Sequence, residues 1–162
     1  METPHIAIAP LTAQDIAPCA ALMATSEPWI RYGVDATAAT ALWARALDAQ
    51  EAAWVARCGR TMCGFAWYIE RGAFGLSGYL KLLGVSRAAR GHGVGTALLA
   101  QVERHALADG QDDVFLLVSH FNLPAQRFYE RCAYCRVGAI PDYVRPGLTE
   151  LIYRKRLRDG GE

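Results

Sequence analysis

Apolar and polar positions along this chain follow two rhythms, one of about two residues and one of about 3.6, and the switches between them mark the elements. "HIAIAPL" is a short apolar run and reads as a strand. Thr12 follows it as a candidate cap for a helix beginning near Ala13, with Asp15 in the first turn. Pro18 is tolerated only in or near the first turns, which pulls that helix start later than Thr12 alone suggests. "TSEPWIRYGVDA" breaks the pattern, and a second helix follows in which Ala39, Leu42, Trp43, Ala46 and Leu47 share a face. "AAWVARCGRTMCGFAWYIE" holds two β-rich runs around Cys58, Gly59 and Arg60, the pattern of an antiparallel hairpin. "RGAFGLSG" reads as a loop and "YLKLLGV" as a further strand.

Beyond it stands a glycine turn, then a long helix with Val94, Ala97, Leu98 and Val102 on one face. "DVFLLVS" is almost continuously apolar, as a strand covered on both faces would be. "NLPAQRFYERC" is a short helix, and "YCRVGAI" and "TELIYRKRL" supply two last strands. The expected order is βαα-βββ-α-β-α-ββ, an α/β (α+β) fold of about seven strands and four helices. No repeat, low-complexity tract or linker interrupts it, so residues 1–162 read as a single domain, with 157–162 as a frayed tail.

Composition narrows the partners. At 162 residues and 52% apolar content, the chain is long enough to bury a core. Seventeen Lys and Arg against sixteen Asp and Glu leave +1, which gives no electrostatic reason to expect nucleic acid or an anionic membrane. No basic flank precedes a long apolar run at the N-terminus, and a cytoplasmic location is expected. Five cysteines without an export signal read as reduced thiols. Cys132 and Cys135 have redox or half-zinc-site spacing, with Cys58 and Cys63 as conceivable partners, but a lone C-x-x-C is weak and small core thiols are the expectation; no metal is assigned.

The chemistry concentrates in "RGHGVGTALLAQVERHA". The first turn of a helix leaves N–H groups unpaired at the positive end of the helix dipole, a setting for an anion. A tight strand-to-helix turn with no ligand is the plainer reading. Gly91, Gly93 and Gly95 are spaced G-x-G-x-G with Thr96 where a dinucleotide fingerprint needs its third glycine, and no lysine follows as a P-loop requires. What remains is a turn that holds phosphate mainly by backbone donors, with Arg90 nearby. With its flanks, the segment resembles the acetyl-CoA-binding motif of the GCN5-related N-acetyltransferase (GNAT) family, Arg/Gln-x-x-Gly-x-Gly/Ala, met by Arg90, Gly93 and Gly95. "NLPAQRFYERCAY" resembles the family's second motif through Asn122, Ala125, Phe128 and Tyr129, and more loosely through Ala133 and Tyr134, where the family usually has Gly-Phe. The resemblance runs from about the hairpin to the last strand and implies the family's mixed, largely antiparallel sheet flanked by helices.

By that resemblance Arg90, Gly91, Gly93, Gly95 and Thr96 bind the pyrophosphate of acetyl-CoA, and the backbone of Leu83, Gly84 and Val85 hydrogen-bonds its pantetheine arm. A Cβ at Gly93 or Gly95 would hold the backbone off the phosphate or forbid the required φ. Asn122 and Tyr129 are seven residues apart, nearly on one helical face and roughly 10 Å apart along the axis. The resemblance assigns Asn122 to the pantetheine and Tyr129 to protonating the departing thiolate. The plainer roles are an N-cap for Asn122 and a packing aromatic for Tyr129.

Attack also needs a neutral amine, hence a base. Glu27, in the first-half loop, and His120, just before Asn122, are the candidates, each acting through water. Against them stand a solvated loop carboxylate and a strand-end histidine bonded to backbone. Trp29, Tyr32, Tyr79 and Tyr143 are candidate walls of an acceptor pocket, and Asp142 is either a selector of cationic acceptors or turn chemistry. The expected activity is acetyl transfer from acetyl-CoA to a primary amine through a ternary complex, with no cysteine placed for a covalent route. The alternative from another class is an acyl-CoA-binding sensor that needs neither Tyr129 nor a base. A homodimer is compatible with the sequence, which marks no surface for it.

Overall fold

The computed structural model describes residues 5–158. Its elements follow the expected order: β1 (Ile6–Pro10), α1 (Ile16–Ala24), α2 (Ala36–Asp48), β2 (Ala52–Cys58), β3 (Thr61–Ala73), β4 (Ser77–Val85), α3 (Val94–Ala108), β5 (Asp113–Ser119), α4 (Leu123–Arg131), β6 (Cys135–Pro141) and β7 (Thr149–Arg156). The seven strands form one mixed sheet in the order β1-β2-β3-β4-β5-β7-β6. β1–β2, β2–β3, β5–β7 and β6–β7 pair antiparallel, while β4 and β5 pair in parallel. The parallel ladder is short. It joins Gly78–Leu80 to Val114–Leu116, although β4 continues to Val85 and β5 to Ser119.

Two boundaries differ from the sequence pattern. Thr12 and Asp15 form a capping box, Thr12 donating to the Asp15 carboxylate from its amide (2.9 Å) and its hydroxyl (2.8 Å), but what it caps is a single 3-10 turn, Ala13–Asp15. The α-helix starts at Ile16, which puts Pro18 in its first turn, where a missing N–H costs nothing. "RGAFGLSG" is not a loop: β3 runs on to Ala73 and β4 begins at Ser77, so only residues 74–76 turn, with Phe74 and Gly75 at positive φ. Of the expected tail over 157–162, only Leu157 and Arg158 are among the described residues. The Leu157 amide donates to Asp112 O at 2.7 Å and Arg158 reaches Leu107 O at 3.2 Å, while 159–162 lie outside the described residues.

The residues group into two compact units: one holds the chain up to Tyr68 together with Leu82–Val102, the other Ile69–Lys81 and the chain from Glu103 onward. In the first unit, Trp43 is fully buried and packs edge-on against Phe65 (4.8 Å between centroids), with Trp67 at 5.6 Å and its indole N–H directed at Met23 Sδ. Buried Asp15 pairs with Arg57 of β2, fixing the start of α1 to the sheet. In the second unit, Leu80, Val114, Leu116, Val118, Leu151 and Tyr153 are buried along one sheet face with Tyr129 and Tyr134. Glu103 of α3 accepts from the Tyr134 hydroxyl (3.2 Å) and pairs with Lys155 of β7 (3.0 Å).

Candidate active site

The glycine turn belongs to the first unit. β4 ends at Val85, Ser86 opens a 3-10 turn over Arg87–Ala89, and Arg90 is extended before the chain doubles back into α3. Gly91 and Gly93 have φ of +78° and +83°, in the left-handed region, and a Cβ at Gly91 would meet nothing within 4 Å while one at Gly93 would meet only Ile6, at 4.0 Å. Glycine is required at both for φ and not for crowding. Gly95 differs from the sequence reading: it lies inside the first turn of α3, outside the positive-φ set. The helix ladder starts with Ala97 N donating to Gly93 O at 2.9 Å, so the amides of Gly93, Val94, Gly95 and Thr96 lie ahead of it with no intrahelical acceptor. Arg90, Gly91, Gly93 and Thr96 are exposed, whereas Val94, Leu98 and Val102 are buried beneath them. The result is an exposed cluster of backbone donors on a rigidly packed helix, fitted to a phosphate. Arg90 Nε donates to Val85 O at 3.3 Å and His92 Nδ1 donates to Arg90 O at 2.9 Å, both tying the turn to its own backbone.

Gly84 has a reason the sequence did not disclose. A Cβ there would stand 2.5 Å from Phe65 Cζ and 2.9 Å from Trp29, and one at Gly64 would stand 2.8 Å from Gly84 O and 3.0 Å from Leu98. The two glycines let Phe65, Trp29 and α3 close over β3 and β4 immediately before the turn. Trp29, a candidate pocket wall, accordingly packs against Phe65 with the rings tilted and their centroids 5.5 Å apart.

The second motif lies in the other unit. Asn122 caps α4, its Oδ1 accepting from Ala125 N at 3.3 Å, and Pro124 follows in the first turn. Tyr129 is 8% exposed, edge-on to Phe128 (5.1 Å) and Tyr134 (5.7 Å). Burial, then the Cys132 and Tyr79 charges, push the Tyr129 phenol well above its ordinary range. α4 ends in a Schellman cap: Tyr134 N donates to Tyr129 O (3.0 Å), Ala133 N to Glu130 O (3.1 Å), and Ala133 takes φ +67°. Tyr134, the cap's apolar clasp, folds back onto Tyr129 and holds its ring.

Of the base candidates, Glu27 is exposed in the turn after α1. His120 is exposed, and its Nδ1 lies 3.1 Å from the Thr149 amide and 3.3 Å from the Thr149 carbonyl, against the backbone of the neighbouring strand. Asp142 serves the β6–β7 turn, accepting from Gly147 N at 2.6 Å. Two residues were missed from sequence: Glu150, only 5% exposed, stands opposite Ser119 in the β5–β7 ladder with the Ser119 hydroxyl 3.5 Å away. Its charge and that of Tyr143, after burial, help push the Tyr79 phenol up to about 12. The signal was an acidic residue inside an otherwise apolar strand start, "TELIY". Among the described residues no group of three His, Cys, Asp or Glu could hold a metal ion, and no helix is long and apolar enough to cross a membrane.

In sequence, the family described as "Acetyltransferase (GNAT) family" matches residues 17–134, and no curated protein matches the chain. Among solved structures, one from Desulfovibrio desulfuricans, described as an acetyltransferase of the GNAT family, aligns with TM-score 0.80 at 24% identity over 95% of this chain and all of that one. YncA from Salmonella typhimurium, solved with its cofactor acetyl-CoA, aligns with TM-score 0.73 at 16% identity over 97% and 96% of the two chains. An aminoglycoside 6'-N-acetyltransferase complexed with coenzyme A aligns with TM-score 0.79 at 15% identity over 96% and 99%. At these identities the likeness is one of fold.

Proposed function

The chain belongs to the GNAT acetyltransferase family, and from that premise we propose that residues 1–162 act as one catalytic domain that moves the acetyl group of acetyl-CoA to a primary amine in a direct ternary complex. The observation that carries the reading is the glycine turn: exposed backbone donors at the start of α3, with left-handed Gly91 and Gly93 ahead of them. In this reading Arg90, Gly91, Gly93, Gly95 and Thr96 hold the pyrophosphate. The β4–β5 ladder stops at Leu80, short of Leu83, Gly84 and Val85, whose main chain hydrogen-bonds the pantetheine arm in this reading, with Val85 O also accepting from Arg90 Nε. Asn122 contacts that arm with whatever donor capacity its capping bond leaves. The acetyl-CoA and coenzyme A complexes of two fold neighbours support the choice of donor.

The amine attacks the thioester carbonyl and the C–S bond breaks as negative charge gathers on sulfur. Tyr129 donates a hydrogen bond to that sulfur and passes its proton as the thiolate departs, staying protonated through the neutral range because burial raises its pKa. The ammonium must lose a proton first. Glu27 or His120, both exposed, takes it through water. No covalent part is given to cysteine: burial pushes the Cys19 and Cys63 thiols up to about 12 and raises Cys132 as well, against formation of a nucleophilic thiolate there. The reaction belongs to the cytoplasm, and a homodimer is compatible with it.

Calorimetric titration with acetyl-CoA, set beside CoA and a Gly93→Trp variant, tests the donor site. Wild type should bind and the variant should lose binding by at least about tenfold, because Trp at φ +83° is strained and its side chain occupies the phosphate's approach. No binding by folded wild type overturns both this reading and the acyl-CoA sensor alternative. Release of CoA thiol on incubation with a panel of amines then separates them, since a sensor binds without turnover.

A further inference from the structure

We propose that Cys58 and Cys63 form a reversible intramolecular disulfide, a modification site built into the β2–β3 hairpin and separate from the acetyl-transfer chemistry. The ladder pairs Cys58 with Thr61, Arg57 with Met62, and then Ala56 with Gly64, so Cys63 is the extra residue of a β-bulge. In a regular ladder these two cysteines would be diagonal neighbours on one face, roughly 7–8 Å apart. The bulge bends β3 and brings their sulfurs to 2.8 Å, which leaves less than about 1 Å to close to a bond of about 2.05 Å. The chain between them is the tight turn through Gly59, whose φ of +65° a glycine adopts freely and where a Cβ would meet nothing.

Exposure sets the order of events. Cys58 is half-buried and Cys63 is 3% exposed, so a disulfide reagent such as oxidised glutathione reaches Cys58 first. The Cys58 thiolate attacks one glutathione sulfur, forming a mixed disulfide and releasing one glutathione thiolate. Cys63 then gives up its proton and attacks Cys58 Sγ, releasing the second glutathione; the protein loses two protons and two electrons, and glutathione disulfide gains them. Burial and Cys58 itself hold the Cys63 thiol up to about 12, which slows the second step, while the preset contact gives it a large effective concentration. The site also adjoins the glycine turn in the chain's hydrogen-bonding: Cys63 O accepts from Ser86 N at 2.9 Å, and Ser86 opens the 3-10 turn that leads to Arg90.

The sequence's more conspicuous pair is Cys132 and Cys135, so the test must distinguish the two. Full-length protein is incubated with oxidised glutathione, its remaining thiols alkylated, and peptides mapped by mass after cleavage at Arg60, which separates Cys58 from Cys63. The expected product is one crosslink, two hydrogens lighter, joining those peptides and reversed by a dithiol. It should vanish in Cys58→Ser and in Cys63→Ala and persist in Cys132→Ser. Circular dichroism verifies folding, and if Cys63→Ala unfolds, Cys58→Ser carries the comparison. A crosslink confined to Cys132 and Cys135, a lasting glutathione adduct on Cys58, or five thiols that all remain alkylatable would each overturn the proposal.

Discussion

In the proposed reaction Tyr129 would combine two demands that usually conflict, a fixed position and a proton available to a reacting atom. Its ring is clasped between Phe128 and Tyr134, and only the hydroxyl distinguishes it from a packing aromatic. Tyr129→Phe therefore keeps the clasp and removes the donor. Turnover with a competent amine should fall about 100-fold or more, the ordinary weight of one positioned acid or charge-stabilising donor. The affinity for acetyl-CoA, measured by titration, should stay within about twofold. Unchanged turnover would return the residue to packing. Gly93 makes the complementary case, since nothing crowds it and φ alone demands a glycine.

At the scale of elements, the cap of α4 explains why the second motif matches its family loosely. The C′ position of a Schellman cap requires a left-handed residue, for which glycine is suited, and this chain places Ala133 there at φ +67°. An L-residue in that region costs about 1–2 kcal/mol, part of which glycine gives back through its freer unfolded chain. Ala133→Gly should then stabilise the protein by about 0.5–1 kcal/mol and raise Tm by about 1–4 °C, read by calorimetry. A lower Tm would mean that the strain is relieved in a way the backbone angles do not express. The same comparison shows what was legible in the sequence. The pattern of apolar positions located the seven strands and four α-helices of the described residues but not the 3-10 turns at Ala13–Asp15 and Arg87–Ala89. The glycine turn was legible because a left-handed backbone leaves a residue-type mark. The need for Gly64 and Gly84 was not, because it arises from Phe65, Trp29 and Leu98, residues far apart in sequence whose contact is a tertiary fact. Glu150 was missed for a related reason: its partner Ser119 lies 31 residues away and is brought opposite only by the β5–β7 register. The β3–β4 loop was drawn too long because Arg71 and Gly72 read as turn residues, yet the strand carries them to Ala73.

For the molecule as a whole, buried phenols set an alkaline limit. Burial and the Tyr143 and Glu150 charges push Tyr79 up to about 12, burial and neighbouring charge push Tyr129 higher, and Tyr134 is raised by burial and by the Glu103 carboxylate that accepts its proton. All three folded-state values lie above that of an unfolded tyrosine, near 10. Below pH 10 both states keep these protons and stability is untouched. Between about pH 10 and 12 the unfolded chain ionises while the folded one cannot, so stability falls as pH rises, by up to about 1.4 kcal/mol per pH unit for each phenol and about 4 for the three together. A loss that steep consumes the stability of an ordinary domain within a few pH units. Tyrosinate absorbance and far-UV circular dichroism, followed together against pH, should therefore show these phenols ionising in the same transition that unfolds the chain. Tyr134→Phe should make that transition shallower by one proton. Ionisation of all seven tyrosines near pH 10 with the helical signal intact would show instead that the three hydroxyls reach water freely, and the claim that burial protects the acid of the second motif would fall with it.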